Sequence, residues 1–146
     1  NHNIDIEPII IINVDGNEIK VNTSYDNKEE NNKVIETVNT LKSTFTDIVV
    51  ISPYTAQCST LRKLDPTLNI HTLDSFQGRE ADAVILTTVR TGDTIGFWDD
   101  FRRLNVGMTR AKHALRIIGK TSSWTINDNP LKNLFYYALE NNINIS

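Results

Sequence analysis

Four short apolar runs, spaced apart by helical patterns and polar loops, set what this chain can fold into. They are Ile9–Val14, Ile48–Ser52, Ala83–Val89 and Ala114–Ile118. Each is β-branched and too short for an ordinary helix, so each predicts a strand. Ala83–Val89 is apolar at consecutive positions, which suits a strand whose sheet is covered on both faces. From Lys28 to about Phe45, Val34, Val38, Leu41 and Phe45 recur at helical spacing, with Asp26 or Asn27 to cap the helix. Thr55–Leu64 predicts a second helix, with Leu61 and Leu64 inward. Asp99 or Asp100 caps a third that runs to about Ala111. A fourth runs from about Pro130 to Asn141, with proline early and Leu131, Leu134, Phe135 and Ala138 on one face. Residues 17–27 read as loop, with a short strand at Glu18–Val21, and Asn69–Leu73 reads as another short strand. Strands alternating with helices pair in parallel. The expected fold is therefore α/β, a mainly parallel sheet between two helical layers, in a single domain spanning residues 1–146.

Composition narrows the function by exclusion. The net charge of −3 supplies no global field for nucleic acid, so any such binding must come from a local patch. The single cysteine, Cys58, excludes an intrachain disulfide framework and argues for an intracellular protein, cytoplasmic or nuclear. No apolar run approaches the ~20 residues of a membrane span, so no membrane partner is expected. The start, NHNIDIEPIIIINV, lacks the basic and long apolar regions of a signal peptide and reads as the middle of a longer protein. No His/Cys spacing supports a metal site. His71, His113 and Cys58 read as structural residues.

Two segments concentrate the polar chemistry: HTLDSFQGREADAVILTTVR (71–90) and DDFRRLNVGMTRAKHALRIIG (99–119). On a helix over 99–111, Phe101, Leu104 and Met108 face the core. Arg103 and Arg110 lie seven residues apart, so they share the opposite face and present two guanidiniums able to grip phosphate oxygens. Gly78 in the first segment allows a tight turn or close approach to a ligand. Arg79 has an alternative structural use, a salt bridge with Asp82. A third element, Ser52-Pro53-Tyr54-Thr55-Ala56-Gln57, follows a buried strand and opens a helix, where free backbone N–H groups suit phosphate. Phe97 and Trp98 read as packing residues. There is no G-x-x-x-x-G-K-[ST] phosphate loop and no acidic Mg²⁺-binding motif at a strand end.

Both segments closely resemble the last two sequence motifs of superfamily 1 nucleic-acid helicases, in the branch of the nonsense-mediated-decay RNA helicase. Arg102-Arg103-Leu104-Asn105-Val106-Gly107-Met108-Thr109-Arg110-Ala111-Lys112 is similar to the family's RRLNVALTRAK, with Gly107 where Ala is usual. Asp74-Ser75-Phe76-Gln77-Gly78-Arg79-Glu80 is similar to its DAFQGRE, and the Ser52–Gln57 stretch resembles its PYxxQ element. The resemblance implies a three-layer RecA-like domain of the P-loop NTPase type, the C-terminal motor domain of an ATP-dependent RNA or DNA helicase. It implies that Arg110 is the catalytic arginine finger and that Gly78 and Glu80 belong to the nucleotide site, with Glu80 on the ribose. It places Ser52, Tyr54, Gln57, Thr72, Ser75 and Gln77 along a single strand of RNA or DNA. ATP and Mg²⁺ are expected as cofactors, held mainly by an N-terminal RecA-like domain that lies outside this sequence. On that view the fragment alone is inactive. An alternative is a catalytically inactive interaction module derived from a helicase, binding nucleic acid or protein; the missing phosphate loop and Gly107 keep it open.

Overall fold

The computed structural model describes residues 6–146. Eight strands and five helices follow one another as β1 (Ile9–Asn13), β2 (Ile19–Val21), β3 (Ser24–Asp26), α1 (Lys28–Leu41), β4 (Ile48–Ile51), α2 (Thr55–Leu64), β5 (Ile70–His71), β6 (Ala81–Thr87), α3 (Phe101–Met108), β7 (Ala111–Gly119), α4 (Thr121–Trp124), α5 (Pro130–Glu140) and β8 (Asn144–Ile145). Six strands form one sheet in the order β5-β4-β6-β7-β1-β8, and β2 and β3 pair separately as an antiparallel hairpin. Every neighbour in the six-stranded sheet is parallel. The expected α/β class and parallel pairing are borne out.

Side chains alternate across the sheet and separate two cores. Val49, Ile51, Val84, Leu86, Leu115 and Ile117 point to one face, packed with Leu73, Phe76, Trp98, Leu104 and Leu131. Ile48, Val50, Ala83, Ile85, Ala114 and Ile118 point to the other, packed with Val34, Val38, Leu41, Phe45 and Leu61. The layers are thus α1 and α2, the sheet, and then a mixed layer that includes α3, α5 and the loop before β6. At ~25 cal/mol per Å² of buried apolar surface, central strands shielded on both faces supply much of the hydrophobic stabilisation.

Three expectations need correction. Leu64 does not face inward; it is 53% exposed in the last turn of α2, beyond the reach of the sheet. Phe101 does not join the core; it opens α3 and is 70% exposed, while Leu104 is buried. Helix α3 stops at Met108, because Ala111 already pairs with Ala81 as the first residue of β7. Arg110 therefore lies in the turn after the helix, so the seven-residue spacing to Arg103 no longer measures two helical turns. Strands β3 and β8 and the single turn α4 also go beyond the sequence reading.

Candidate nucleotide and nucleic-acid site

Polar groups collect at both ends of the sheet, and one segment connects the ends. Strand β5 finishes level with the end of β4 (Ile51 pairs His71), whereas β6 begins at the opposite edge. Residues 72–80 must therefore run back across a face of the sheet. Leu73 and Phe76 are buried in that face and tie the segment down. A 3-10 turn over Asp74–Phe76 shortens it. Gly78 then adopts φ +76°, with nothing within 4 Å of where a Cβ would stand. Thr72 is half-buried, and Ser75, Gln77, Arg79 and Glu80 are exposed along the outer side.

At the amino edge this segment meets the turn after α3. The Arg110 guanidinium donates from Nη1 to the Arg79 carbonyl (3.3 Å), from Nε to the Val106 carbonyl (3.1 Å) and from Nη2 to Thr109 Oγ1 (3.3 Å). The Ala81 amide donates back to the Arg110 carbonyl at 3.0 Å. The two motif segments, well separated in sequence, are thus joined through Arg79 and Arg110. The Asp82 salt bridge weighed for Arg79 does not form; Asp82 faces His113 at 3.9 Å. Arg79 instead lies over the Phe76 ring, 4.8 Å from its centroid, and its Nη2 donates to the Ser75 carbonyl and towards His71 Nδ1, each at 3.3 Å. Burial, then the nearby Arg79 and Arg62, push the His71 imidazole below its ordinary value, so its neutral ring can accept from Arg79. Arg103 lies over Phe97 at 4.5 Å. Among the described residues, no carboxylate lies within 4 Å of the Arg79, Arg103 or Arg110 guanidinium.

Helix α3 is fixed by a cap and a close approach. Asp100 accepts from the Arg102 and Arg103 amides at 2.8 and 3.3 Å. Gly107 is buried, and a Cβ there would stand 3.2 Å from the Trp98 ring and 3.3 Å from Leu86. The departure from alanine thus matches a large neighbour: Trp98 fills the space, and its indole N–H donates to the Thr87 carbonyl (3.1 Å). The helix continues through Gly107 without a break.

The carboxyl edge is built differently. Ser52 and Gln57, expected on the nucleic-acid path, are both fully buried. The Ser52 hydroxyl donates to Gln57 Oε1, Gln57 Nε2 donates to Thr87 Oγ1 (3.0 Å), and Thr87 donates to Glu30 Oε1 (2.7 Å). As folded, these two residues offer no side chain to an outside strand; they hold the turn that carries Tyr54. The Tyr54 hydroxyl accepts from the Phe97 amide at 3.1 Å, and its ring meets Tyr25 edge-on at 5.3 Å. Arg90 lies 3.9 Å from the centroid of Tyr25 and donates to Glu18 (3.1 Å), which also accepts from the Thr91 and Gly92 amides. Burial opposes ionisation of Glu18, but these amides and Arg90 hold its carboxyl below the usual range.

Sequence reasoning missed Glu30. This carboxyl is completely buried in the first turn of α1. It accepts from Thr87, from the Val89 amide (2.9 Å) and from Asn27 Nδ2 (3.2 Å). Burial pushes it up to about 7, against the pull of the hydrogen bonds from Thr87 and the Val89 and Thr88 amides. Val89 adopts φ +64°. For a β-branched residue this left-handed backbone costs about 1–3 kcal/mol and persists only where its surroundings impose it.

Among the described residues, no group of three or more His, Cys, Asp or Glu is arranged to hold a metal ion, and no helix is long and apolar enough to cross a membrane.

A parallel sheet with a two-faced core, an arginine turn against a Gly-containing crossover, and polar turns at the opposite edge define a RecA-like domain of helicase type. Known proteins agree. The sequence profile described as the AAA domain matches residues 1–122. An uncharacterized ATP-dependent helicase of Methanocaldococcus jannaschii is 46% identical over 118 residues, covering 77% of this chain and 18% of its own length. Helicase SEN1 of Saccharomyces cerevisiae is 37% identical over 68% of this chain, and the probable helicase senataxin of Homo sapiens is 37% identical over 77%; the match covers 5% of each. The solved C-terminal domain of a possible DNA helicase from Lactobacillus plantarum superposes with TM-score 0.61 at 16% identity, over 94% of this chain and 84% of that one. The chain belongs to the AAA domain family, as a C-terminal RecA-like domain of superfamily 1 helicases. It spans less than a fifth of each of these three relatives.

The family implies a nucleoside triphosphate. One group present fits its anionic end: the Arg110 guanidinium rests on neutral acceptors, the Arg79 carbonyl among them, and among the described residues no carboxylate lies within 4 Å to neutralise it. The residues present do not form a polyphosphate cradle.

Proposed function

We propose that this chain is the C-terminal motor domain of an ATP-dependent helicase acting on single-stranded RNA or DNA. One domain spans the sequence, and an N-terminal RecA-like domain supplies the phosphate loop and holds Mg²⁺. Bound ATP supplies the phosphoryl bond whose hydrolysis drives the motor. Arg110 is the arginine finger. The observation that carries this reading is its rest position. It lies against the Gly78–Glu80 turn on three neutral acceptors and, among the described residues, has no carboxylate within 4 Å to compete with phosphate. Replacing two backbone carbonyls and a hydroxyl by phosphate oxygens exchanges weak neutral contacts for charge-assisted ones. In this reading Glu80 accepts from a ribose hydroxyl, which its exposure at the end of the crossover supports.

The nucleic-acid strand runs along the exposed side of the crossover and the carboxyl edge. Thr72, Ser75, Gln77 and Tyr54 contact its backbone, while Ser52 and Gln57 support Tyr54 from within. Backbone contacts of this kind give salt-sensitive affinity with little sequence preference.

The test is ATP hydrolysis by the full-length polypeptide, with and without single-stranded RNA or DNA, beside Arg110→Ala and the isolated 146-residue domain. Strand-stimulated hydrolysis that collapses in the variant and is absent from the isolated domain supports the reading. Turnover by the isolated domain, or an unaffected variant, refutes it.

A further inference from the structure

The carboxyl edge contains a device that the motifs do not account for. Helix α1 lies behind the sheet, and its first turn reaches through to the ends of two strands. Asn27 caps the helix by accepting the Glu30 amide on Oδ1 (3.1 Å). The same Asn27 donates from Nδ2 to the Val89 carbonyl (2.9 Å) and to Glu30 Oε2 (3.2 Å). Glu30 Oε1 takes the Val89 amide (2.9 Å). Both main-chain polar groups of Val89 are therefore held by one helical turn, at the residue whose φ of +64° a β-branched side chain otherwise avoids. The next residue is Arg90, which lies over Tyr25, and Tyr25 meets Tyr54. From the other side of the carboxyl, Thr87 links Glu30 to Gln57 and Ser52, which hold the turn before α2. One buried carboxyl thus joins the turn after β4 to the turn after β6. It makes no contact with the amino edge, where Arg110 sits.

We infer that Glu30 is a positioning residue for the nucleic-acid strand: by holding Val89 left-handed and Thr87 in place, it sets Arg90, Tyr25 and Tyr54 as one preformed surface at the carboxyl edge. The inference rests on the helicase reading. It adds that strand affinity is set from behind the sheet, by a residue no strand touches. All partners of the carboxyl are donors, namely the Thr87 hydroxyl, the Val89 amide and the Asn27 amide group, which favour its ionised form against the burial that opposes it. Glutamine in its place keeps Oε1 for Thr87 and Val89 but turns a donor towards Asn27. Alanine removes every link.

The experiment compares the full-length protein with Glu30→Ala, Glu30→Gln and Thr87→Val in two measurements. The first is the single-strand concentration that half-maximally stimulates ATP hydrolysis, read beside the rate at saturating strand and corrected for folded fraction. The second is hydrogen exchange at the Val89 and Arg90 amides. Glu30→Ala is expected to raise the half-stimulating concentration at least tenfold, change the saturated rate less than threefold, and open both amides while the β4 and β6 core stays protected. Glu30→Gln is expected to recover most of the affinity, and Thr87→Val to fall between. A folded Glu30→Ala protein with unchanged strand dependence overturns the inference, and so does equal loss of rate and affinity. If the unaltered protein shows no strand dependence, the helicase reading fails, and with it the role in affinity. The amide exchange then decides independently whether Glu30 positions Val89, and unchanged exchange overturns that as well.

Discussion

The two edges of the sheet solve opposite problems. At the amino edge, Arg110 rests on exposed carbonyls and a hydroxyl at 3.1–3.3 Å, with no carboxylate bound among the described residues. At the carboxyl edge, Glu30 is sealed from solvent within hydrogen bonds of 2.7–3.2 Å that hold two turns together. Contacts of the first kind are individually weak and easily exchanged. Those of the second are costly to leave unmade, because a buried donor stripped of its acceptor has no water to replace it. A group that must leave its resting place for a ligand suits the first environment, and a surface that must already be formed when the ligand arrives suits the second.

The sharpest way to break the comparison is Arg110→Ala. Strand-stimulated hydrolysis of the full-length protein is expected to fall about 10³-fold or more, while the urea midpoint of the isolated domain barely moves, because exposed neutral contacts contribute little. A large loss of stability would show that the amino edge is structural. Glu30→Ala is its mirror: three buried donors lose their acceptor, and the domain is expected to lose about 3 kcal/mol in urea titrations. Loss below ~0.5 kcal/mol would mean that the network is ornamental to the fold.

A pH series probes the carboxyl edge without mutation. Glu30 has a folded value raised to about 7 from an ordinary 4.5. Below 4.5 both states hold the proton. Between 4.5 and 7 only the folded state does, so its advantage declines as pH rises, and above 7 it is gone. The expected decline is about 3 kcal/mol, seen as a falling urea midpoint from pH 4.5 to 7.5, with that component of the slope missing in Glu30→Gln. A flat difference between the two proteins would contradict it. The smallest effect expected is Gly107→Ala. Helix propensity favours alanine by about 1 kcal/mol, but its methyl would press on Trp98 and Leu86. The net expectation is a loss of about 1 kcal/mol; a gain would show that Trp98 can yield.

How much of this was legible in the sequence follows from what each residue's environment depends on. The central strands and long helices were readable, because burial on both faces leaves continuous apolar runs and one-sided packing leaves a 3.6-residue period. Strands β3 and β8, of three and two residues, were too short to carry any period. Leu64 and Phe101 kept the apolar spacing but lie at helix ends, where the sheet no longer reaches them. The turn at Arg110 depends on where β7 begins, and that is set by its pairing with β6 rather than by local propensity. The motif strings marked Arg79 and Arg110, and the fold brought them together. Glu30 stayed hidden for a different reason. Asn27-x-x-Glu30 has the form of an ordinary capping box, in which the glutamate turns back to its own helix start. Its true destination, Thr87 and Val89, lies more than fifty residues away.

The crossover before β6 has a consequence for motion. Leu73 and Phe76 clamp it near its carboxyl-edge end, leaving Gln77 to Glu80 as an overhang that reaches the amino edge. Such a segment pivots where its backbone is least restrained, and Gly78 stands there with open space around it. Rotation about that glycine would displace Arg79, whose carbonyl supports Arg110, and would have to break the bond from the Arg79 amide to the Phe76 carbonyl (3.2 Å) and lift its guanidinium off the Phe76 ring. The resting place of the arginine is thus coupled to the clamp through one residue: the Arg79 carbonyl holds Arg110, while the Arg79 amide and guanidinium hold to Phe76.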